Sequence, residues 1–140
     1  VPRRGDAEVD AMRYEPLSRF PALRTHDVDE LRQRLSGLFS VWSIDLGRGS
    51  QRSFEGRLNH RQMQDIGVSY ARYGSTLMAS LSHADFYLQG FPVRGCGSFV
   101  VDGAEGDVSP DHGIVCRLGV SVGRLHRGGH RQVSSHSHKP

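Results

Sequence analysis

The sequence predicts a mainly β domain, a sandwich or barrel of about seven or eight short strands with one helix near its N-terminus. Three observations carry this. A stripe of apolar residues at helical spacing opens the ordered part of the chain, and after it the period changes to two. The period-two runs recur at spacings of roughly 8–12 residues. Eleven glycines between Gly47 and Gly113 punctuate the corners. With no helices between the strands, parallel βαβ units are excluded.

Taken in order, residues 1–22 are polar and carry Pro2, Pro16 and Pro21, so they read as a flexible lead-in. Val28, Leu31, Leu35, Leu38 and Phe39 then form one helical face. Asp27 stands at the N-cap position with Glu30 three residues on, the spacing of a capping box, and Asp29 and Glu30 suit the positive helix end. Trp42, Ile44 and Leu46 alternate next. So do Phe54, Gly56 and Leu58 before Asn59-His60, and then Ile66, Val68, Tyr70 and Arg72. A weaker strand begins at Leu77, and Tyr87 to Val93 carries apolar groups on both faces. Phe99-Val100-Val101 runs into Asp102-Gly103, a hairpin turn whose glycine tolerates positive φ. Asp107-Val108-Ser109-Pro110 leads to Ile114-Val115-Cys116. The domain is thus expected over residues 23–118.

From Gly119 to Pro140 the composition changes. This stretch holds four histidines, Gly128-Gly129, Arg124, Arg127, Arg131 and Lys139, and no acidic residue, while the preceding residues carry a net charge of −1. With little apolar content after Leu125 it is expected to be a disordered tail. The net charge of +3 therefore comes from the tail, and the body shows no electrostatic footprint for nucleic acid. No run approaches the roughly 20 apolar residues of a membrane span, and Val1–Asp6 has no apolar signal core, which points to a cytoplasmic setting. Cys96 and Cys116 are expected to be free, buried thiols.

The run Phe54-Glu55-Gly56-Arg57-Leu58, followed by Ile66-Gly67-Val68-Ser69-Tyr70-Ala71-Arg72-Tyr73-Gly74, resembles the N-terminal sensing domain of AraC/XylS-type transcription regulators, in its AraC-binding-like subgroup. Asp85-Phe86-Tyr87-Leu88, Gly95-Cys96-Gly97-Ser98-Phe99 and Val108-Ser109-Pro110-Asp111 follow in the subgroup's order. The resemblance covers roughly residues 27–116 and implies a cupin-like barrel, often dimeric, that binds a small-molecule effector. In intact members two helix-turn-helix units follow. No such pattern occurs here, so a truncated or frameshifted regulator is expected. It would bind effector, form a homodimer or pair with an intact homologue, and make no direct contact with nucleic acid.

Within such a barrel, Tyr70, Arg72, Tyr87, Gln89 and Phe91 are the expected inward-facing ligand-binding residues, with Arg72 able to clamp a carboxylate. His60, His83 and His112 are isolated, so no barrel metal site and no cofactor is expected. His126, His130 and His136-x-His138 could chelate a metal weakly, or simply be solvated. No nucleophile elbow or phosphate loop occurs, and no catalytic residue is assigned. The alternatives are a small metal-dependent cupin enzyme and a vestigial product.

Overall fold

The computed structural model describes residues 15–38, 43–46, 54–81, 84–127 and 131–137. Among them are one helix and eleven strands, arranged as two antiparallel sheets. The first sheet joins β1 (Pro21–Thr25), β3 (Gly56–Met63), β4 (Ile66–Tyr73), β11 (Arg131–Ser137), β6 (Tyr87–Arg94) and β9 (Ile114–Cys116), in that order. The second joins β2 (Ser43–Leu46), β5 (Leu77–Leu81), β10 (Val122–His126), β7 (Gly97–Val101) and β8 (Ala104–Val108). The predicted β sandwich or barrel with one helix near the N-terminus is therefore the observed architecture. Phe39, Trp42, His83, His130, His138 and residues 1–14 of the expected lead-in lie outside the described residues.

Helix α1 (Val28–Leu38) begins where its capping residues predict. The Asp29 N–H donates to Asp27 Oδ1 at 2.9 Å. The Thr25 hydroxyl accepts from the Asp27 N–H at 2.9 Å and donates to Glu30 Oε2 at 2.9 Å. Glu30 thus turns back to Thr25, not to the N-cap residue itself, and the first turn's free N–H groups are still served; such caps contribute about 1 kcal/mol. Leu31 and Leu35 are buried in the shared core with Ile44, Phe54, Leu58, Leu77, Phe86, Leu88 and Val122. The Asp102-Gly103 turn forms as expected: both residues have positive φ, 47° and 83°, and join β7 to β8.

The lead-in expectation changes from Glu15 onward. Residues 15–20 lie against the outer face of the first sheet. Asn59 Nδ2 donates to the Pro16 carbonyl at 2.9 Å, and the His60 N–H donates to the Phe20 carbonyl at 2.9 Å. Arg61 stacks over the Phe20 ring, 4.6 Å from its centroid. β1 then pairs with β3 from Pro21. These polar contacts leave no hydrophobic periodicity to read.

A larger correction concerns the stretch from Gly119, expected to be a disordered tail. Residues 122–126 and 131–137 are strands at the centre of each sheet. β10 lies between β5 and β7, and β11 lies between β4 and β6. Each is hydrogen-bonded on both sides, so the backbone polar groups are satisfied even though the side chains are mostly polar. The inward residues are Val122, Arg124 and His126 on β10, and Gln132 and His136 on β11. Only Val122, Leu125 and Val133 are apolar across the two strands, so the usual period-two apolar signal of a strand is missing.

The barrel interior and its outer sheet face

Between the sheets, hydrocarbon fills one part of the interior and polar groups fill another. Arg124, on the central strand of the second sheet, is buried and reaches across to the first. A Cβ placed on Gly90 of β6 would stand 3.0 Å from Arg124 Nη2, 3.1 Å from Ser134 Oγ and 3.2 Å from Gln132 Nε2. A Cβ there would crowd all three groups, so it is the glycine at position 90 that lets these polar side chains from two strands converge. Gln132 Nε2 donates to Ser134 Oγ at 2.8 Å. Arg124 Nη2 is buried without a hydrogen-bond partner. The ion pairs among the described residues include Arg24–Glu15, Arg57–Glu15 and Arg32–Asp29, and none is found there for Arg124.

Burial sets the electrostatics of this region. It pulls the Arg124 guanidinium down to about 10, against smaller opposing effects of Tyr73 and Cys116. Burial also pushes the Tyr73 phenol up to about 12. Both groups keep their protons at neutral pH, so Arg124 remains a cation. Tyr73 meets the His126 ring edge-on at 5.3 Å. Further along, His60 stacks on His136 at 5.7 Å, and His136 meets Phe86 edge-on at 5.9 Å. Gly67 is required here, because a Cβ on it would stand 2.1 Å from the His136 ring. His60 Nδ1 lies 2.8 Å from Ser69 Oγ, and burial lowers the His60 pKa. Among the described residues no group of three or more His, Cys, Asp or Glu side chains could hold a metal ion.

The predicted ligand-binding residues face the other way. The interior side of β4 carries Gly67, Ser69 and Tyr73, while Ile66, Val68, Tyr70 and Arg72 lie on the outer side. Tyr70 is buried, yet it shares that outer face with Asn59, Glu15 and Pro16. Arg72 and Gln89 are exposed, Phe91 is 44% exposed, and Tyr87 is half-buried. The reversal has a physical reason. The outer face is itself apolar, with Ile66, Phe91, Val93 and Val115 exposed on it, and it carries the stronger alternation. The inner face instead needs small residues beneath His136 and Arg124. Tyr87, Gln89 and Phe91 do come together, along shallow outer recesses: Gln89 and Phe91 with Val115 in one of about 370 Å³, and Tyr87 with Gln89 in one of about 200 Å³.

Arg72 belongs to a row. Strand register places Arg24, Arg57, Arg72, Arg131 and Arg94 side by side across five consecutive strands. Glu15 pairs with the first two, at 3.6 and 3.3 Å, its one negative charge shared between them. The interior residues Arg124, His126, Gln132, Ser134 and His136 were missed by sequence reading because all lie beyond Gly119. Their signal was present: Arg124-x-His126 and Gln132-x-Ser134-x-His136 are polar residues at strand period. Cys96 and Cys116 are unbridged, as expected, but Cys96 is exposed because it sits in the turn after Gly95.

The sequence profile of the AraC-binding-like domain matches residues 31–134. The chain belongs to this family. The match includes β10 and most of β11, in keeping with their central place in the sheets. Among solved structures, the AraC-like transcriptional activator CuxR is similar at TM-score 0.67 and 13% identity, covering 82% of this chain and 45% of that one. The chain thus spans under half the length of that activator. KdgF from Halomonas sp. follows at TM-score 0.53 and 14% identity, covering 71% of this chain and 86% of that one. The Cnp3 cupin domain of Schizosaccharomyces pombe is similar at TM-score 0.50 and 10% identity, covering 68% and 69%. At these identities the likeness is one of fold, and the fold is cupin-like. No curated protein sequence matches the chain. Among the described residues, no helix of this AraC-binding-like domain is long and apolar enough to cross a membrane.

Proposed function

We propose that this AraC-binding-like domain senses a small-molecule effector for a transcription regulator and does not catalyse a reaction. The observation that carries the reading is the polar interior. A barrel with no role beyond stability would fill its centre with hydrocarbon, because a buried polar group costs free energy unless it is paired. Here the guanidinium of Arg124 occupies a buried interior position, and its Nη2 has no hydrogen-bond partner. Membership of the family supports the same role. Effector binding would act by population shift, favouring one arrangement of the domain relative to its partner. The partner is a second copy of the domain, in a cytoplasmic setting.

Two measurements test this. A thermal-shift screen of chemically diverse small metabolites should yield ligands that raise the melting temperature and bind in equimolar ratio by calorimetry. The chain by itself should not retard DNA in a sequence-specific, salt-sensitive manner. Turnover of a cupin-enzyme substrate dependent on a bound metal would refute the non-catalytic assignment.

A further inference from the structure

We infer that the barrel interior takes a small organic carboxylate, held by Arg124 with Gln132 and Ser134 beside it. This rests on the effector-sensing reading and specifies its ligand class. The argument begins with charge. Arg124 is more than nine-tenths buried, and its Nη2 has no hydrogen-bond partner. A buried guanidinium with no carboxylate partner among the described residues is costly, and an incoming anion relieves that cost. The neighbouring groups agree in polarity. Ser134 Oγ accepts from Gln132 Nε2, so its own proton remains to be donated. The guanidinium, with the Ser134 hydroxyl and the Gln132 amide beside it, therefore lies against the backbone of Gly90.

Charge count and shape select among anions. One guanidinium balances one negative charge, and its planar fork matches a carboxylate. A phosphate dianion would leave excess charge against Leu88, Ile114 and Cys116, the buried apolar residues of β6 and β9 on the same interior face. Those residues suit the hydrocarbon portion of an organic acid. The same chemistry was expected of Arg72, which faces solvent; the structure moves it to the arginine inside.

The test uses the full chain, with acetate, pyruvate and benzoate as probes, acetamide and benzamide as neutral counterparts, and inorganic phosphate. At least one carboxylate should raise the melting temperature where its amide and phosphate do not. Arg124→Met should lose at least tenfold in affinity for that acid, and Arg124→Lys should keep part of it. Should Arg124→Met fail to fold, arginine-selective ¹⁵N spectra of the wild-type chain replace it, and a buried guanidinium signal should shift with the acid and not with the amide. An equal response to acid and amide, a preference for phosphate, or a response that survives Arg124→Met overturns the carboxylate assignment. If neutral metabolites bind the wild type and Arg124→Met alike, the sensing role stands and the carboxylate does not. If nothing in either set binds, both fall.

Discussion

Replacing Arg124 by Met should stabilise the unliganded protein. The guanidinium is pulled down from the usual arginine value to about 10 by burial. At 1.36 kcal/mol per pKa unit, holding that charge in place costs about 3 kcal/mol. Because the folded-state value is the lower one, the unfolded chain binds the proton more tightly. The penalty is therefore fully present below about pH 10 and fades only as pH rises from there toward the unfolded-state arginine value. Met retains most of the apolar stem beside Ala79 and Phe99, the register neighbours of Arg124, and removes the charge. Part of the gain is lost to imperfect filling. A net stabilisation of about 1–3 kcal/mol is expected, in line with other buried charges exchanged for hydrophobes. For a chain of this length that is a melting-temperature rise of roughly 3–10 °C. Differential scanning calorimetry without ligand is the assay, and the gain should be flat across neutral pH. A melting temperature several degrees below wild type would show that Arg124 is held by interactions that outweigh its burial, and the reasoning about an unpaired charge would fail.

Three further outcomes follow from the same geometry. A chain ending at Leu118 lacks β10 and β11 and should show no cooperative thermal transition; a sharp melt with native-like circular dichroism would return residues 119–137 to the status of an appendage. Arg72→Glu places an acid between Arg57 and Arg131 in register and should stabilise by about 0.5–1 kcal/mol at low salt. The gain should shrink as salt is added, as urea midpoints would report. Burial, reinforced by the Arg34 charge and opposed by a Gln62 hydrogen bond, lowers the His60 pKa from 6.5. Stability is accordingly intact above that value and falls as pH drops through it toward the folded-state pKa, because the unfolded chain then takes up the proton first. His60→Gln should flatten this part of the urea-midpoint profile, and an unchanged slope would remove His60 as its source.

What could be read in the sequence was whatever hydrophobic contrast encodes. Leu31 and Leu35 marked the helix, Asp27 its start and Asp102-Gly103 the hairpin, because each rests on local chemistry. The faces of β4 could not be read, since both sides of that strand are covered. Tyr70 is buried on one side and Tyr73 on the other, so alternation cannot say which side is in. The candidate site was hidden for a related reason. Arg124, Gln132 and Ser134 look like solvated residues until two sheets are closed around them, and that closure is a tertiary fact. Arg72, the arginine expected inside, lies on the outer face, while the buried guanidinium belongs to Arg124.

The placing of β10 and β11 also bears on how the protein is made. Until β11 leaves the ribosome, β4 and β6 have nothing between them, and until β10 does, β5 and β7 stand apart in the same way. Four strand edges therefore wait, open, while most of the domain is already outside the exit tunnel. Such edges invite pairing with other chains. The strands that complete the barrel pair over long sequence separations, with β11 joined to β4, so closure is expected to be slow. A nascent chain paused before Val122 is an aggregation hazard, and yield in cells should depend on how quickly translation passes that point and on chaperones that cover the waiting edges.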